Sequence, residues 1–151
     1  MKYSSFEDLP IWQKARTLAK YIFEITSEEP FSKDFRFRDQ IRSASGSIMD
    51  NISEGFERSG NKEFVQFLYI AKGSCGETRS QSYRALDCNY ITLETLEKLK
   101  EKTTEITSDI AGLIKYLKNS DYKGSKYKWI QNSKFKIESH KKALLLWIIL
   151  N

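Results

Sequence analysis

The chain has 151 residues, of which 40% are hydrophobic and 30% are charged, a balance that is ordinary for a globular domain with a single core. Two prolines and seven glycines are few for this length, which favours long helices over a sheet. The N-terminal residues lack the apolar stretch of a secretory signal, and no run approaches the ~20 apolar residues of a membrane span. We therefore expect a cytoplasmic protein without a membrane segment.

The net charge of +5 belongs to the C-terminal part of the chain. Residues 1–118 contain 18 basic and 18 acidic side chains, whereas residues 119–151 contain seven lysines against Asp121 and Glu138. A basic chain suggests nucleic acid as a partner, but residues 1–118 do not share the excess charge.

Two apolar patterns near the N-terminus each predict an amphipathic helix. The first helix is expected over about 7–26, with Pro10 in the first turn, where its missing amide hydrogen costs nothing. The second is expected over about 35–57, because apolar residues recur every three or four positions from Ile41 to Phe56.

Two further helical patterns lie at about 61–89 and from Thr92 to about residue 117. Thr92 is a good N-cap, and the leucines and isoleucines after it keep a near-heptad spacing. Only a few residues separate the second, third and fourth helices, so these neighbours must run antiparallel. The sequence predicts an all-α protein: an antiparallel up-down four-helix bundle over residues 1–118, followed by a basic, aromatic tail over 119–151.

Small residues on the second and third helices suggest how these helices pair. Folding the chain back near Gly60 places Gly46 opposite Gly73, with Gly76 one turn further along. Because a glycine inside a helix costs ~1 kcal/mol relative to alanine, we expect these three glycines to mark a close helix contact. Gly60 is expected to end the second helix in the left-handed conformation, and Asn61 to cap the third.

A row of polar side chains accompanies this register. It is rich in Ser, Asn and Gln, which suits a partly buried polar seam better than a solvated face of Lys and Glu. The register also places Arg42 opposite Glu77, which predicts an ion pair; the alternative is that both side chains point to water. The predicted seam comprises Gln40, Arg42, Ser47, Asn51, Glu54, Glu77 and Arg84.

Two groups of basic residues are candidate contacts for nucleic acid. One group lies at the start of the second helix, and the other is interleaved with aromatic residues in the tail. Lysines contact phosphates and aromatic rings stack on unpaired bases, but a solvated basic end is the alternative for both groups. The candidates are Lys33, Arg36 and Arg38 in the first group, and Lys123, Lys126 and Lys128 in the second.

The residues of common catalytic and metal sites are missing. His140 is the only histidine, so the Glu-x-x-His pairs of a di-metal bundle are not available. Cys75 and Cys88 are predicted in one helix, ~20 Å apart at ~1.5 Å per residue, which is too far for a disulfide. We expect no catalytic activity, no metal and no cofactor.

An uninterrupted apolar run, Ala143–Leu150, ends the tail. As a helix it would be only ~12 Å long, too short to cross a bilayer. The favoured interpretation is that it packs on its own bundle or on a neighbouring subunit. Attachment to a membrane surface and an unstructured end are the alternatives.

The segment "QIRSASGSIMDNISEGFERSGNKEFVQFLYIAKGSCGETRSQSYRALDCNYI", residues 40–91, resembles the signature of the four-helix-bundle proteins encoded in intervening sequences of bacterial 23S ribosomal RNA genes. "NISEGFER" stands where that family has Asn-Ile-Ala-Glu-Gly followed by Arg, and "AKGSCGE" where it has a Gly-Ser…Glu motif on the third helix. The resemblance covers about residues 5–118. It implies a homo-oligomeric bundle, with pentameric rings as the expected form, and no enzymatic activity.

A related branch, the accessory variability determinant of diversity-generating retroelements, pairs with a reverse transcriptase and binds nucleic acid. Those proteins are basic over the bundle itself, whereas this bundle is neutral, which favours the intervening-sequence branch. The sequence thus predicts a non-enzymatic homo-oligomer, with RNA or a nucleoprotein as its candidate partner. The alternative is an accessory subunit of a retroelement reverse transcriptase.

Overall fold

Four helices account for most of residues 3–58 and 60–119, the part of the chain that the computed structural model describes. They are α1 (Pro10–Ile25), α2 (Phe35–Glu57), α3 (Asn61–Asp87) and α4 (Leu93–Asn119), with one-turn 3₁₀ helices at Phe6–Asp8 and Phe31–Lys33. α1 and α3 each pack against both α2 and α4, so the helices close around one core. This architecture confirms the predicted all-α four-helix bundle.

Each helix contributes one apolar stripe to this core. The stripe of α1 has the 3.6-residue spacing expected from the sequence, and it consists of Ile11, Ala15, Leu18 and Ile22. The stripe of α4 continues from Leu96 to Leu117 at the same spacing. Burying one large aliphatic side chain stabilises a fold by roughly 1.5–3 kcal/mol, so these stripes hold the bundle together.

Pro10 and Thr92 occupy the helix-start positions that the sequence predicts, although α1 begins at Pro10 and not near residue 7. Pro10 is the first residue of α1. Thr92 immediately precedes α4, and its Oγ1 accepts a hydrogen bond from the Thr95 amide at 3.2 Å. Such a cap satisfies one of the free amides of the first turn and typically stabilises by about 1 kcal/mol.

An aromatic cluster closes the end of the bundle at which α2 begins. The ring centroid of Phe31 lies 4.9 Å from that of Tyr90 and 5.1 Å from that of Phe37. Asp34 ties this cluster to the helix, because its carboxylate accepts hydrogen bonds from the Phe37 amide at 3.0 Å and the Tyr90 hydroxyl at 3.2 Å. The start of α2 is thereby fixed against the segment that follows α3.

The connection between α2 and α3 differs from the predicted one. Gly60 has φ −128° and ψ 142°, which is extended backbone, and it occupies the N-cap position, while Asn61 is already helical. Arg58, after α2, is also extended. The predicted left-handed Gly60 and capping Asn61 are therefore wrong, because the chain reverses through extended residues that need no positive φ.

The left-handed residue occurs instead after α3, at Asn89, with φ 57°. The Asn89 amide donates to the Leu86 carbonyl at 2.8 Å, and the Tyr90 amide donates to the Ala85 carbonyl at 2.9 Å. This pair of hydrogen bonds is a Schellman motif, in which asparagine tolerates the left-handed conformation better than most side chains.

Lys14 joins α1 to α4. Its Nζ lies 2.6 Å from a carboxylate oxygen of Glu105 and 2.6 Å from one of Asp109. Partial burial lowers the pKa of Lys14, but the hydrogen bonds to Asp109 and Glu105 outweigh this effect, and the pKa is raised above its ordinary value. These two acidic side chains of α4 therefore face α1.

Among the helices of residues 3–58 and 60–119, none is both long and apolar enough to cross a membrane. α4 ends at Asn119, the last residue described. The predictions for the basic tail, including Lys123, Lys126 and Lys128, lie outside the described residues, as does the prediction for Ala143–Leu150.

Candidate functional site

Hydrogen bonds between polar side chains join α2 to α3 along one side of the bundle. The hydroxyl oxygens of Ser47 and Ser74 lie 3.1 Å apart across the two helices. Asn51 Nδ2 donates to the Ser47 carbonyl at 2.7 Å and to the Ser47 hydroxyl at 3.0 Å. Ser74 is buried, and Ser47 and Asn51 are half-buried. The structure thus brings together two residues of the predicted seam, Ser47 and Asn51, with Ser74.

The same seam continues toward the end of α3. Arg84 Nη1 donates to Gln40 Oε1 at 3.3 Å, and the guanidinium carbon lies 4.0 Å from the ring centroid of Phe37. Gln81, only 6% exposed, donates from Nε2 to Glu77 Oε1 at 3.1 Å. Its own Oε1 is buried without a hydrogen-bond partner among the described atoms. A Gln–Arg contact therefore crosses the helices here, and Glu77 is engaged within α3.

Arg42 does not lie in this seam, and the predicted ion pair with Glu77 does not form. Arg42 Nε donates to Thr26 Oγ1 at 2.7 Å, and its Nη2 donates to Ser27 Oγ at 2.9 Å. The guanidinium carbon also lies 4.4 Å from the ring centroid of Phe23. The long side chain reaches the C-terminal end of α1, where a cation is favoured by the free carbonyls and the helix dipole.

Glu54, also predicted in the seam, forms an ion pair with the residue that directly follows α2 and not with a residue of α3. Its Oε1 lies 2.7 Å from Nη2 of Arg58, four residues later in the chain. Both side chains are about half-exposed, so this ion pair contributes little stability. Glu54 makes no described contact across to α3.

The three glycines predicted at a close helix contact lie elsewhere. A β-carbon added at Gly46, Gly73 or Gly76 would meet no described atom within 4 Å, so none of the four helices approaches them closely. The reason is how α2 and α3 are turned about their axes. Ser47 and Ser74 face the opposite helix, so Gly46 and Gly73, one residue earlier, point ~100° away from it. Gly73 is exposed and Gly46 is half-buried.

The close contact is at Gly55, where the sequence indicates a close backbone approach at a helix end or kink but does not identify the partner. A β-carbon added there would lie 2.6 Å from Phe67 Cβ and 2.8 Å from Phe64 Cδ2. Gly55 is buried beside the turn between α2 and α3. The only sequence signal was a glycine next to an apolar stripe near a helix end.

The predicted basic group at the start of α2 is largely neutralised. Lys33 Nζ lies 3.1 Å from Glu29 Oε1, and Arg38 Nε lies 2.8 Å from Asp39 Oδ1. Arg36 is exposed. Because two of the three cations have acidic partners, this end of the bundle is a weaker candidate for phosphate binding than the sequence suggested.

A second basic site, which the sequence interpretation missed, lies between α3 and α4. We call it the lysine groove; its volume is about 300 Å³. Lys118 Nζ donates to the Tyr69 hydroxyl at 2.8 Å and lies 5.0 Å from the ring centroid. The residues that line the lysine groove are Tyr69, Lys72, Ala111, Ile114, Lys115, Lys118 and Asn119. Helical spacing could have indicated this site, since Lys115 and Lys118 share one side of α4.

The two cysteines differ in environment. Burial raises the pKa of the Cys75 thiol to about 11, despite a hydrogen bond with Thr107, whereas Cys88 is exposed. A thiol with such a pKa stays protonated and is a poor nucleophile or metal ligand at neutral pH. Within the described residues, no group of three or more His, Cys, Asp or Glu side chains is placed to hold a metal ion.

Residues 7–112 match the family model of the 23S rRNA-intervening sequence protein. The chain belongs to this family. The match spans α1, α2, α3 and most of α4, and so includes the seam and Gly55, but of the lysine groove only Tyr69, Lys72 and Ala111. It confirms the resemblance seen in the sequence.

A solved structure has a similar fold. It is a protein with unknown function from the S23 ribosomal protein family of Bacteroides thetaiotaomicron, 27% identical to this chain, with a TM-score of 0.64. The similarity covers 70% of this chain and 95% of that one. No curated relative matches the sequence.

Proposed function

We propose that this family member is a non-enzymatic protein that assembles as a homo-oligomer through the outer face of α2 and α3, with a pentameric ring as the expected form. The observation that carries the proposal is the position of Gly46 and Gly73. Each lies inside a long helix, and neither is required by a contact within the described chain. Because each glycine costs ~1 kcal/mol relative to alanine, a close approach by another copy would explain both.

An exposed apolar side chain supports the same face. Ile70 is 52% exposed and lies one turn from Gly73 on α3. An aliphatic side chain beside a glycine provides a knob next to a shallow surface, which suits helix packing between subunits. The pentameric form is expected from the family resemblance, and the choice of α2 and α3 as the interface rests on the two glycines.

Native mass spectrometry tests this proposal. The wild-type protein is expected at a mass near five times that of the 17.7 kDa chain. Gly46→Arg and Gly73→Arg should shift the distribution toward monomer, because a long charged side chain blocks close approach. Ser108→Arg, which adds the same side chain at an exposed position of α4, is the matched control. A wild-type monomer at micromolar concentration would overturn the proposal.

We also propose a second role, the binding of RNA or a nucleoprotein partner in the cytoplasm. The seven lysines of residues 119–151 favour it, because they supply the excess charge of the chain. Removing residues 119–151 should weaken RNA binding and flatten its dependence on salt. The alternative role, an accessory subunit of a retroelement reverse transcriptase, predicts that such an enzyme co-purifies with the chain.

A further inference from the structure

We infer that the lysine groove between α3 and α4 binds the phosphate backbone of single-stranded RNA. This inference rests on the second proposed role and assigns it to a surface of the bundle. The groove is separate from the polar seam and from the basic group at the start of α2.

Three ammonium groups border the groove, from Lys72 on α3 and from Lys115 and Lys118 on α4. Neither Lys72 nor Lys115 forms an ion pair with any residue of 3–58 or 60–119. Among the described residues, Lys118 is bound only to Tyr69, whose neutral hydroxyl accepts its hydrogen bond at 2.8 Å. Most lysines elsewhere in the bundle are paired, as Lys33 is with Glu29 and Lys98 is with Glu94. The groove therefore has cations without counter-charges in the part of the chain that the structure describes.

Acidic and basic side chains lie on different sides of α4. This arrangement produces a local excess of positive charge in a bundle that carries no net charge as a whole. Glu105 and Asp109 both face α1, where they bind Lys14. The opposite side of the helix carries Lys115 and Lys118. At the effective dielectric of a protein surface, three cations around one concave site attract an anion more strongly than the same charges spread over a convex surface.

The composition of the groove favours a phosphate backbone. Lysine ammonium groups act as point charges and bind phosphate without demanding one orientation, which suits sequence-independent contacts. The Tyr69 ring is 48% exposed at the edge of the groove, where an unpaired base can stack on it.

The tail of this chain is a poor occupant for the groove, because residues 119–151 carry seven lysines and only two acidic residues. These lysines begin within a few residues of Asn119, which lines the groove.

Fluorescence anisotropy of a labelled 20-nucleotide poly(U) RNA with the full chain tests this inference over a range of salt concentrations. The groove variant is Lys72→Gln, Lys115→Gln and Lys118→Gln combined. The matched control is Lys20→Gln, Lys98→Gln and Lys100→Gln combined, which removes the same charge from positions outside the groove. Circular dichroism confirms that both variants keep the helical fold.

We expect the groove variant to flatten the slope of log K against log salt by about 2, since each phosphate contact with single-stranded RNA contributes ~0.7. The control should keep a steeper slope. An unchanged slope in the groove variant, with tight binding by the wild type, overturns the groove assignment alone. No binding by the wild type overturns the second proposed role as well. Competition by poly-glutamate as effective as that by unlabelled RNA would show that the groove binds acidic protein instead.

Discussion

Gly55 of α2 lies so close to Phe67 of α3 that a β-carbon added to the glycine would be 2.6 Å from the Phe67 Cβ. The obstructing atom is attached directly to the backbone, so it cannot move without shifting α3. This contact sets the distance between the two helices beside their connecting turn.

The first prediction compares alanine substitutions at two glycines. Gly55→Ala should lower the free energy of unfolding by about 1–3 kcal/mol, because overpacking outweighs the gain in helix propensity. Gly46→Ala, where the β-carbon meets nothing within 4 Å, should leave the folded monomer as stable or up to ~1 kcal/mol more stable. Urea unfolding measures both values. A Gly55→Ala protein as stable as the wild type would contradict the close contact.

The second prediction concerns Arg42. Arg42→Ala should lower the free energy of unfolding by about 1–3 kcal/mol, because it removes charge-assisted hydrogen bonds to Thr26 and Ser27 and the contact with Phe23. Glu77→Ala should lower it by about 1 kcal/mol, since Glu77 is exposed and gives up only its hydrogen bond with Gln81 Nε2. Equal losses in the two variants, with strong coupling in a double-mutant cycle, would instead indicate the Arg42–Glu77 pair.

The third prediction concerns thiol reactivity. Cys88 is exposed and should react rapidly with a thiol reagent such as Ellman's reagent, whereas Cys75 should react only after unfolding. One fast thiol per chain is expected under native conditions, and two in denaturant. Cys88→Ser should abolish the fast phase, and Cys75→Ser should leave it intact.

The fourth prediction concerns alkaline pH. The pKa of Cys75 is raised to about 11 in the fold, from an ordinary value of 9.0, and the pKa of Lys14 is also raised. In both cases the folded protein holds its proton more tightly than the unfolded chain does. Stability should therefore be complete below about pH 9 and decline as the pH rises through 9–11 and beyond. Urea unfolding at several pH values tests this decline, which should be shallower in Cys75→Ala.

The helices follow directly from the sequence. The stripe of α1 at Ile11, Ala15, Leu18 and Ile22 is a local pattern, as is the Thr92 cap, and neither depends on the rest of the molecule. Short connections then limit neighbouring helices to an antiparallel arrangement. The resemblance to the family likewise rests on local sequence, the segment 40–91 with its motifs at Asn51–Arg58 and Ala71–Glu77.

Only the tertiary structure shows how each helix is rotated about its axis. A hairpin register gives the height of a residue along the helix pair, but a turn of ~100° per residue decides whether Ser47 or Gly46 faces the partner. The sequence also did not determine which residues a long side chain reaches, since Arg42 binds the end of α1 and not Glu77.

In the lysine groove, too, the sequence determined one property and the tertiary structure another. The sequence determined that residues 1–118 carry no net charge. Only packing decided that Glu105 and Asp109 would face Lys14 while Lys115 and Lys118, on the other side of α4, have no acidic partner among the described residues. Net charge is a sum over the chain, whereas binding depends on which charges share a surface, and the core determines that by fixing how each helix is turned.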